Sequence, residues 1–183
     1  MPPTRILLVS GSTRDASTNT AALRTIQAVA PDGVTTTLYD ELSELPAFNP
    51  DDDCDPLHPV VARLRVQIAE SHAVVFCTPE YAGCLPGSFK NLLDWTVGGG
   101  EVYGKPVAWV NVAAEGRGRG ALASLVTVLG YVGAGCVETA CRSVSVPRAA
   151  VGPDGLVADE HIRSGLAEVL HALVAHLAAT PAH

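Results

Sequence analysis

Runs of consecutive apolar residues constrain this chain more than any other feature of its sequence. Ile6-Leu7-Leu8-Val9 and Ala73-Val74-Val75-Phe76-Cys77 have strand length and no polar alternation. Successive side chains on a strand point to opposite faces, so such a run needs cover on both sides. The stretches between them have helical spacing. In Ser17 to Ala30, Ala21, Ala22, Leu23, Ile26 and Val29 form one apolar stripe, and Pro31-Asp32-Gly33 stops it.

The alternation continues along the chain. Strands are expected at Ile6–Val9, Val34–Tyr39, Ala73–Cys77, Pro106–Ala113 and near Arg142–Val146. Helices are expected at Ser17–Ala30, Leu57–Glu70, Gly87–Val97, Ala121–Val132 and Asp159–Ala179. Residues 40–56 read as a loop, and Cys136 to Ala140 has no clear assignment. Strands that each lead into a helix imply an α/β fold, a parallel sheet with helices on both faces. Right-handed crossovers leave few orders, and the flavodoxin-like doubly wound order 2-1-3-4-5 suits five strands. The 183 residues show no repeat and no linker, so residues 1–183 are expected to form one domain.

Composition narrows the partners. Hydrophobic residues make up 48% of the chain and charged residues 17%, which excludes a disordered polar chain. Twelve Lys and Arg against nineteen Asp and Glu give a net charge of −7, with no basic stripe. Nucleic acid and anionic membrane surfaces are therefore not expected partners. The apolar run near the N-terminus is far shorter than the roughly 20 residues that span a bilayer. It also lacks a signal-peptide pattern. Five cysteines, Cys54, Cys77, Cys84, Cys136 and Cys141, contain no C-x-x-C pair. They are expected to be reduced, small buried groups of a cytoplasmic protein.

In an open parallel sheet, ligands bind at the carboxyl ends of the strands beside the switch point. That places a site on the loops after strands one, three and four. The first, Gly11-Ser12-Thr13-Arg14-Asp15-Ala16-Ser17-Thr18-Asn19, carries hydroxyls, an amide and a guanidinium into a helix N-terminus. Unpaired N–H groups and the helix dipole favour an anion there. Ser12, Arg14, Ser17, Thr18 and Asn19 add side-chain donors. A net negative charge does not defeat this, because charges beyond a Debye length of about 8 Å are screened. The same residues would also serve a plain turn with Ser17 as helix cap. The second loop, Thr78 to Asn91, sets Tyr81 among Pro79, Gly83, Pro86 and Gly87. It suits a flat heterocycle read by backbone groups, or an ordinary crossover with Tyr81 as surface cover.

Gly11-Ser12-x-Arg14-x-x-Ser17-x-Asn19 and Pro79-Glu80-Tyr81-x-x-x-x-Pro86-Gly87-x-x-Lys90-Asn91-x-x-Asp94-Trp95 together resemble the NADPH-dependent FMN reductase family. The resemblance implies that Ser12, Arg14, Ser17, Thr18 and Asn19 hold the FMN phosphate. It also implies that Pro79, Glu80, Tyr81, Ala82 and Gly83 hold the isoalloxazine, with Gly116 approaching it. NADPH or NADH would be the co-substrate, and a small-molecule electron acceptor such as a quinone, azo compound, metal oxyanion or free flavin would be reduced. A homodimer or homotetramer is expected, with a helical interface involving Leu92, Leu93 and Trp95. Ala82 departs from a frequent Asn and Cys84 from a small hydroxyl residue, so one polar contact near the ring is expected to be missing. Lys90, Asn91 and Asp94 are expected to support helix and loop. A flavodoxin-like electron carrier and a flavin-free interaction protein are the alternative readings.

Other motifs carry less. Gly116-x-Gly118-x-x-Ala121 formally fits a dinucleotide fingerprint, with Glu138 at ribose distance, but it sits on the fourth βα turn and not the first. Gly99-x-x-x-x-Gly104-Lys105 leads into a strand with Pro106 where a P-loop needs Ser or Thr. Arg117 and Arg119 are either solvated loop residues or partners of the NADPH 2′-phosphate. His58, His72, His161, His171, His176 and His183 show no metal-binding spacing. Asp51-Asp52-Asp53 reads as a solvated run, and no G-x-S-x-G elbow is present. Cys84 is a candidate reactive thiol because of its loop. No acid–base pair stands out, so no catalytic side chain is assigned.

Overall fold

A computed structural model describes residues 3–179; His183 lies outside them. The chain runs β1 (Thr4–Ser10), α1 (Thr18–Ala28), β2 (Val34–Tyr39), α2 (Pro59–Glu70), β3 (Ala73–Cys77), α3 (Gly87–Asp94), β4 (Pro106–Asn111), α4 (Arg119–Tyr131), β5 (Gly135–Cys136), β6 (Arg142–Ser143) and α5 (Glu160–Ala179). The sheet order is β2-β1-β3-β4-β5, all parallel, with β6 also on β4. This is the expected doubly wound order.

The unbroken apolar runs explain the two cores. On one face Ile6 and Leu8 of β1 join Ala73, Val75 and Cys77 of β3 under α1 and α5, where Leu23, Ile26, Leu166, Val169, Leu170 and Leu173 are buried. On the other, Leu7, Val9, Val74 and Phe76 meet Val61, Leu64 and Ile68 of α2 and Phe89, Leu92 and Leu93 of α3. Burying a side chain of this size stabilises the fold by about 1.5–3 kcal/mol. Edge strand β2 alternates half-buried and exposed residues, with Thr35 and Thr37 outward. Among the described residues no helix is long and apolar enough to cross a membrane.

Several sequence expectations need correction. The fifth strand is not one segment at 142–146. It is two short pieces, Gly135–Cys136 and Arg142–Ser143, separated by a 3₁₀ turn at Glu138–Ala140 that buries Val137 and Ala140 against the α5 core. Backbone pairing resumes beyond the turn, where Val144 N donates to Asn111 O and Val146 N to Val112 O. Helix α3 stops at Asp94, because Thr96 Oγ1 takes up the Leu93 carbonyl at 2.7 Å and the glycine run follows.

Leu92, Leu93 and Trp95 are no oligomer interface, since each is at most 1% exposed inside a single chain. Trp95 instead packs edge-to-face on Phe48 with centroids 5.0 Å apart, and its Nε1 donates to Pro46 O. Asn91 holds the same loop, accepting from Phe48 N at 2.7 Å and donating to Pro46 O at 2.8 Å. Lys90 and Asp94 form an i,i+4 ion pair. The acidic run is only partly solvated, because Asp53 pairs with Arg65 at 2.6 Å in a half-buried position. Nor are the cysteines uniformly buried: Cys77 is, whereas Cys54, Cys84 and Cys136 are exposed and Cys141 is half-buried.

Candidate functional site

The loops after β1, β3 and β4 converge at the carboxyl edge of the sheet because three close approaches hold them. Gly11 ends β1 against Thr78; a Cβ there would lie 2.4 Å from Thr78 Oγ1. Gly120, in the first turn of α4, faces the loop after β3, and a Cβ on it would lie 2.1 Å from Gly83 O. Gly118 has φ +79° and backs onto Asn111, whose Oδ1 would be 2.5 Å from an added Cβ. The glycines of the apparent dinucleotide fingerprint therefore serve loop geometry: Gly118 for approach, and Gly116 for its φ of +77°.

The first loop keeps most of its donors uncommitted. Ser17 occupies the N-cap position of α1, as expected, but its side chain makes no capping bond. The first N–H groups of a helix have no intrahelical partner, so the N-terminus of α1 keeps open donors. Arg14 is exposed, Ser12 half-buried, and Ser17 and Asn19 are each 6% exposed. Internal bonds are few. Ser10 Oγ lies 2.8 Å from Thr20 Oγ1, Ser12 N donates to Ser10 Oγ, and Cys77 Sγ donates to Asn19 Oδ1 at 3.3 Å. Ala16 adopts a left-handed φ of +50° at the apex.

A cavity of about 620 Å³ opens beside this loop, lined by Ser12, Arg14, Ser17 and, from elsewhere, Arg24, Tyr39 and Asp154. Its outer wall is the hairpin Val151–Val157. That hairpin is fastened to α1 by Thr25, whose Oγ1 accepts from Val157 N at 2.9 Å and donates to Ala21 O at 2.8 Å. The Gly152-Pro153-Asp154-Gly155 turn was the sequence signal for this wall, although nothing in the sequence placed it beside residues 12–17. A second cavity of about 250 Å³ lies at the ends of β3 and β4. Thr18, Asn19, Thr78, Pro79, Glu80 and Arg117 are among its lining residues. The start of α1 thus borders both spaces. Gly116, Tyr81, Ala82 and Gly83 are exposed and line neither cavity.

The second loop is tightly built. Tyr81 and Cys84 exchange both backbone hydrogen bonds at 3.0 Å, with Ala82 at φ +51° and Gly83 at φ +74° between them. Two successive positive φ angles make this a type I′ hairpin turn, for which Asn-Gly is the favoured pair. One oxygen of the Glu80 carboxylate has a structural role: Oε2 accepts from Gly120 N at 2.6 Å and Ala121 N at 3.1 Å, capping α4 from 40 residues away. Cys84 Sγ lies 3.2 Å from Ser124 Oγ, which donates to Gly120 O. Asn111, missed in the sequence, shapes the third loop; its Nδ2 donates to Arg117 O and its Oδ1 accepts from Ala113 N. His58 and His72 have structural partners. His58 Nδ1 caps α2 at Val60 N, and His72 Nδ1 accepts from Arg5 N.

The profile of the NADPH-dependent FMN reductase family matches residues 4–149, which contain all three loops. The chain belongs to this family. It is 37% identical over 112 residues to an NAD(P)H-dependent FMN reductase of Pseudomonas aeruginosa, a match covering 60% of each chain. It is 33% identical over 111 residues to a quinone reductase of Pseudomonas putida, covering 59% of each. The match therefore spans about three-fifths of these relatives' own length. Among solved structures, the flavoenzyme NAD(P)H:(acceptor) oxidoreductase FerB of Paracoccus denitrificans superposes with a TM-score of 0.76 at 28% identity, over 96% of this chain and 98% of that one. In this family member the donors of residues 12–19 fit an anionic phosphate, and the backbone-built second loop fits a flat ring.

Proposed function

We propose that this chain is an NAD(P)H-dependent FMN oxidoreductase. The observation that carries the reading is the open N-terminus of α1, which borders both the donor-rich cavity and the cavity at the ends of β3 and β4. Ser12, Arg14, Ser17, Thr18 and Asn19 hold the phosphate. Hydrogen bonds to an ionised group contribute about 1.5–3 kcal/mol each, and the guanidinium of Arg14 suits a phosphate fork. Pro79, Tyr81, Ala82, Gly83 and Gly116 border the ring through backbone and apolar surface, and Glu80 positions that loop through α4. FMN held by these residues would supply redox chemistry between NADPH or NADH and a small-molecule electron acceptor.

That chemistry demands positioning and no protein nucleophile or acid–base pair. The chain's work is to fix the two ends of the cofactor and leave one face open. Quinones head the acceptor classes, given the quinone reductase relative, with azo compounds, metal oxyanions and free flavin following. Arg117 lines the cavity of about 250 Å³, which supports it as the partner of a nucleotide phosphate. The protein works in the cytoplasm as a homodimer or homotetramer. Tyr103 and Tyr131, 79% and 91% exposed, are surface that assembly would cover, in place of the buried Leu92, Leu93 and Trp95.

The test is anaerobic stopped-flow absorbance of FMN-loaded protein mixed with NADPH, then NADH. Rapid bleaching of the oxidised flavin band is expected with at least one of them. Flavin that binds but stays oxidised would make the protein an electron carrier, and failure to load flavin at all would overturn the site assignment.

A further inference from the structure

Cys136 and Cys141 stand at the two ends of the bulge that splits the fifth strand position. Cys136 closes β5 and Cys141 directly precedes β6. Their sulfurs are 3.7 Å apart. Among the described residues no other two cysteine sulfurs are hydrogen-bonded to each other: Cys54 turns to Asp51 O, Cys84 to Ser124, and buried Cys77 to Asn19. The two partners differ in setting. Cys136 is exposed, whereas Cys141 is half-buried with its Sγ donating to Val137 O at 3.5 Å. Burial, reinforced by neighbouring Cys136, pushes the Cys141 thiol up to about 12.

We propose that Cys136 and Cys141 are a reversible dithiol–disulfide site oxidised by hydrogen peroxide. The exposed Cys136, as thiolate, attacks one peroxide oxygen; the O–O bond breaks, and the departing hydroxide takes up the proton that Cys136 released, leaving as water. Cys136 is then a sulfenic acid. The sulfur of Cys141 attacks it, the S–O bond breaks, and the hydroxide leaves with the Cys141 proton as a second water. Two thiols have lost two electrons and two protons, and one peroxide has become two waters. The sulfurs must close from 3.7 Å to about 2.05 Å, and the exposed Cys136 side chain is free to rotate. The bond ties β5 to β6 across the turn that buries Val137 and Ala140. Attack by an exposed thiol followed by a neighbouring resolving thiol is the pattern of reversible cysteine oxidation.

The site lies outside the FMN loops, and its test uses no nucleotide, so its outcome is separate from that of the flavin reading. The reduced full chain is treated with hydrogen peroxide, blocked with N-ethylmaleimide after unfolding, and digested with trypsin without reduction. Cleavage after Arg119 and Arg142 releases one peptide carrying both cysteines and no others. The expected product is that peptide unlabelled and lighter by two hydrogens, with both labels restored by prior dithiothreitol. In Cys141→Ser the two-hydrogen loss disappears and Cys136 is trapped by dimedone. The proposal is overturned if the wild-type peptide keeps both maleimide labels at a peroxide dose that oxidises Cys54 or Cys84. It is equally overturned if Cys136 passes to sulfinic acid while Cys141 remains labelled.

Discussion

Residues 12–17 and residues 79–84 meet at the same edge of the sheet but are organised in opposite ways. The first loop makes few bonds to itself and leaves Arg14 and the α1 N-terminus open. The second uses its polar groups internally. A two-bond hairpin closes it, Glu80 binds it to α4, and Gly83 O sits where Gly120 has no side chain. A phosphate has to be held by donors supplied from the protein, so side chains there must stay uncommitted. A flat ring needs a surface in a fixed place, so side chains there act as scaffold and the backbone does the contacting. The difference predicts that substitutions in the first loop change affinity, whereas those in the second change stability first.

Arg14→Ala should produce the largest effect. Loss of a charged hydrogen bond of about 1.5–3 kcal/mol weakens FMN binding roughly 10–100-fold, with the melting temperature of the apoprotein unchanged. Fluorescence titration of FMN gives the affinity, and an unaltered Kd would remove Arg14 from the phosphate site. Gly120→Ala tests the other loop. The new Cβ would meet the backbone oxygen of Gly83, and overpacking of this kind costs about 1–3 kcal/mol. The apoprotein should melt lower, by about 2–4 °C per kcal/mol for a chain of this size. FMN affinity should fall as a consequence of displaced loop two. A variant that keeps its melting temperature would mean that α4 and the loop can separate freely.

The fold was legible because buried parallel strands write themselves as continuous apolar runs, and β1 and β3 are both of this kind. The fifth position was not, since Gly135–Cys136 and Arg142–Ser143 are each too short to carry a period, and the buried Val137 and Ala140 belong to a turn. At the site, the donor content of residues 12–19 was readable from residue types in order. The job of Glu80 was not, because its partners at Gly120 and Ala121 are distant in sequence and a carboxylate in a ligand loop looks like a ligand contact. Asn111 and the 151–157 hairpin were hidden for the same reason: tertiary contact alone gives them their place.

Glu80→Ala is expected to act next in size. It removes the acceptor for two N–H groups at the α4 N-terminus, and loss of such a cap costs about 0.5–2 kcal/mol. Glu80→Gln keeps one oxygen that can accept from both and loses only the charge that favours the helix N-terminus, so it should cost less. Thermal unfolding of the two apoproteins ranks them. If FMN affinity drops in both variants while stability does not, Glu80 contacts the cofactor and the scaffold role is wrong.

Ala82 gives the smallest and most discriminating effect. It is a non-glycine residue at φ +51° in the first central position of a type I′ turn. A left-handed conformation costs an ordinary L-residue about 1–2 kcal/mol, and Asn tolerates it better. An Asn at this position would therefore have a backbone explanation that needs no contact with the ring. Ala82→Asn should stabilise the apoprotein by about 0.5–1 kcal/mol, within the strain held there. Ala82→Gly should gain less, because the added freedom of its unfolded chain offsets about 0.4–1 kcal/mol. The two readings of the position then separate cleanly. A higher melting temperature with unchanged FMN affinity assigns residue 82 to the turn, whereas tighter FMN binding in Ala82→Asn but not in Ala82→Gly assigns it to a polar contact with the flavin.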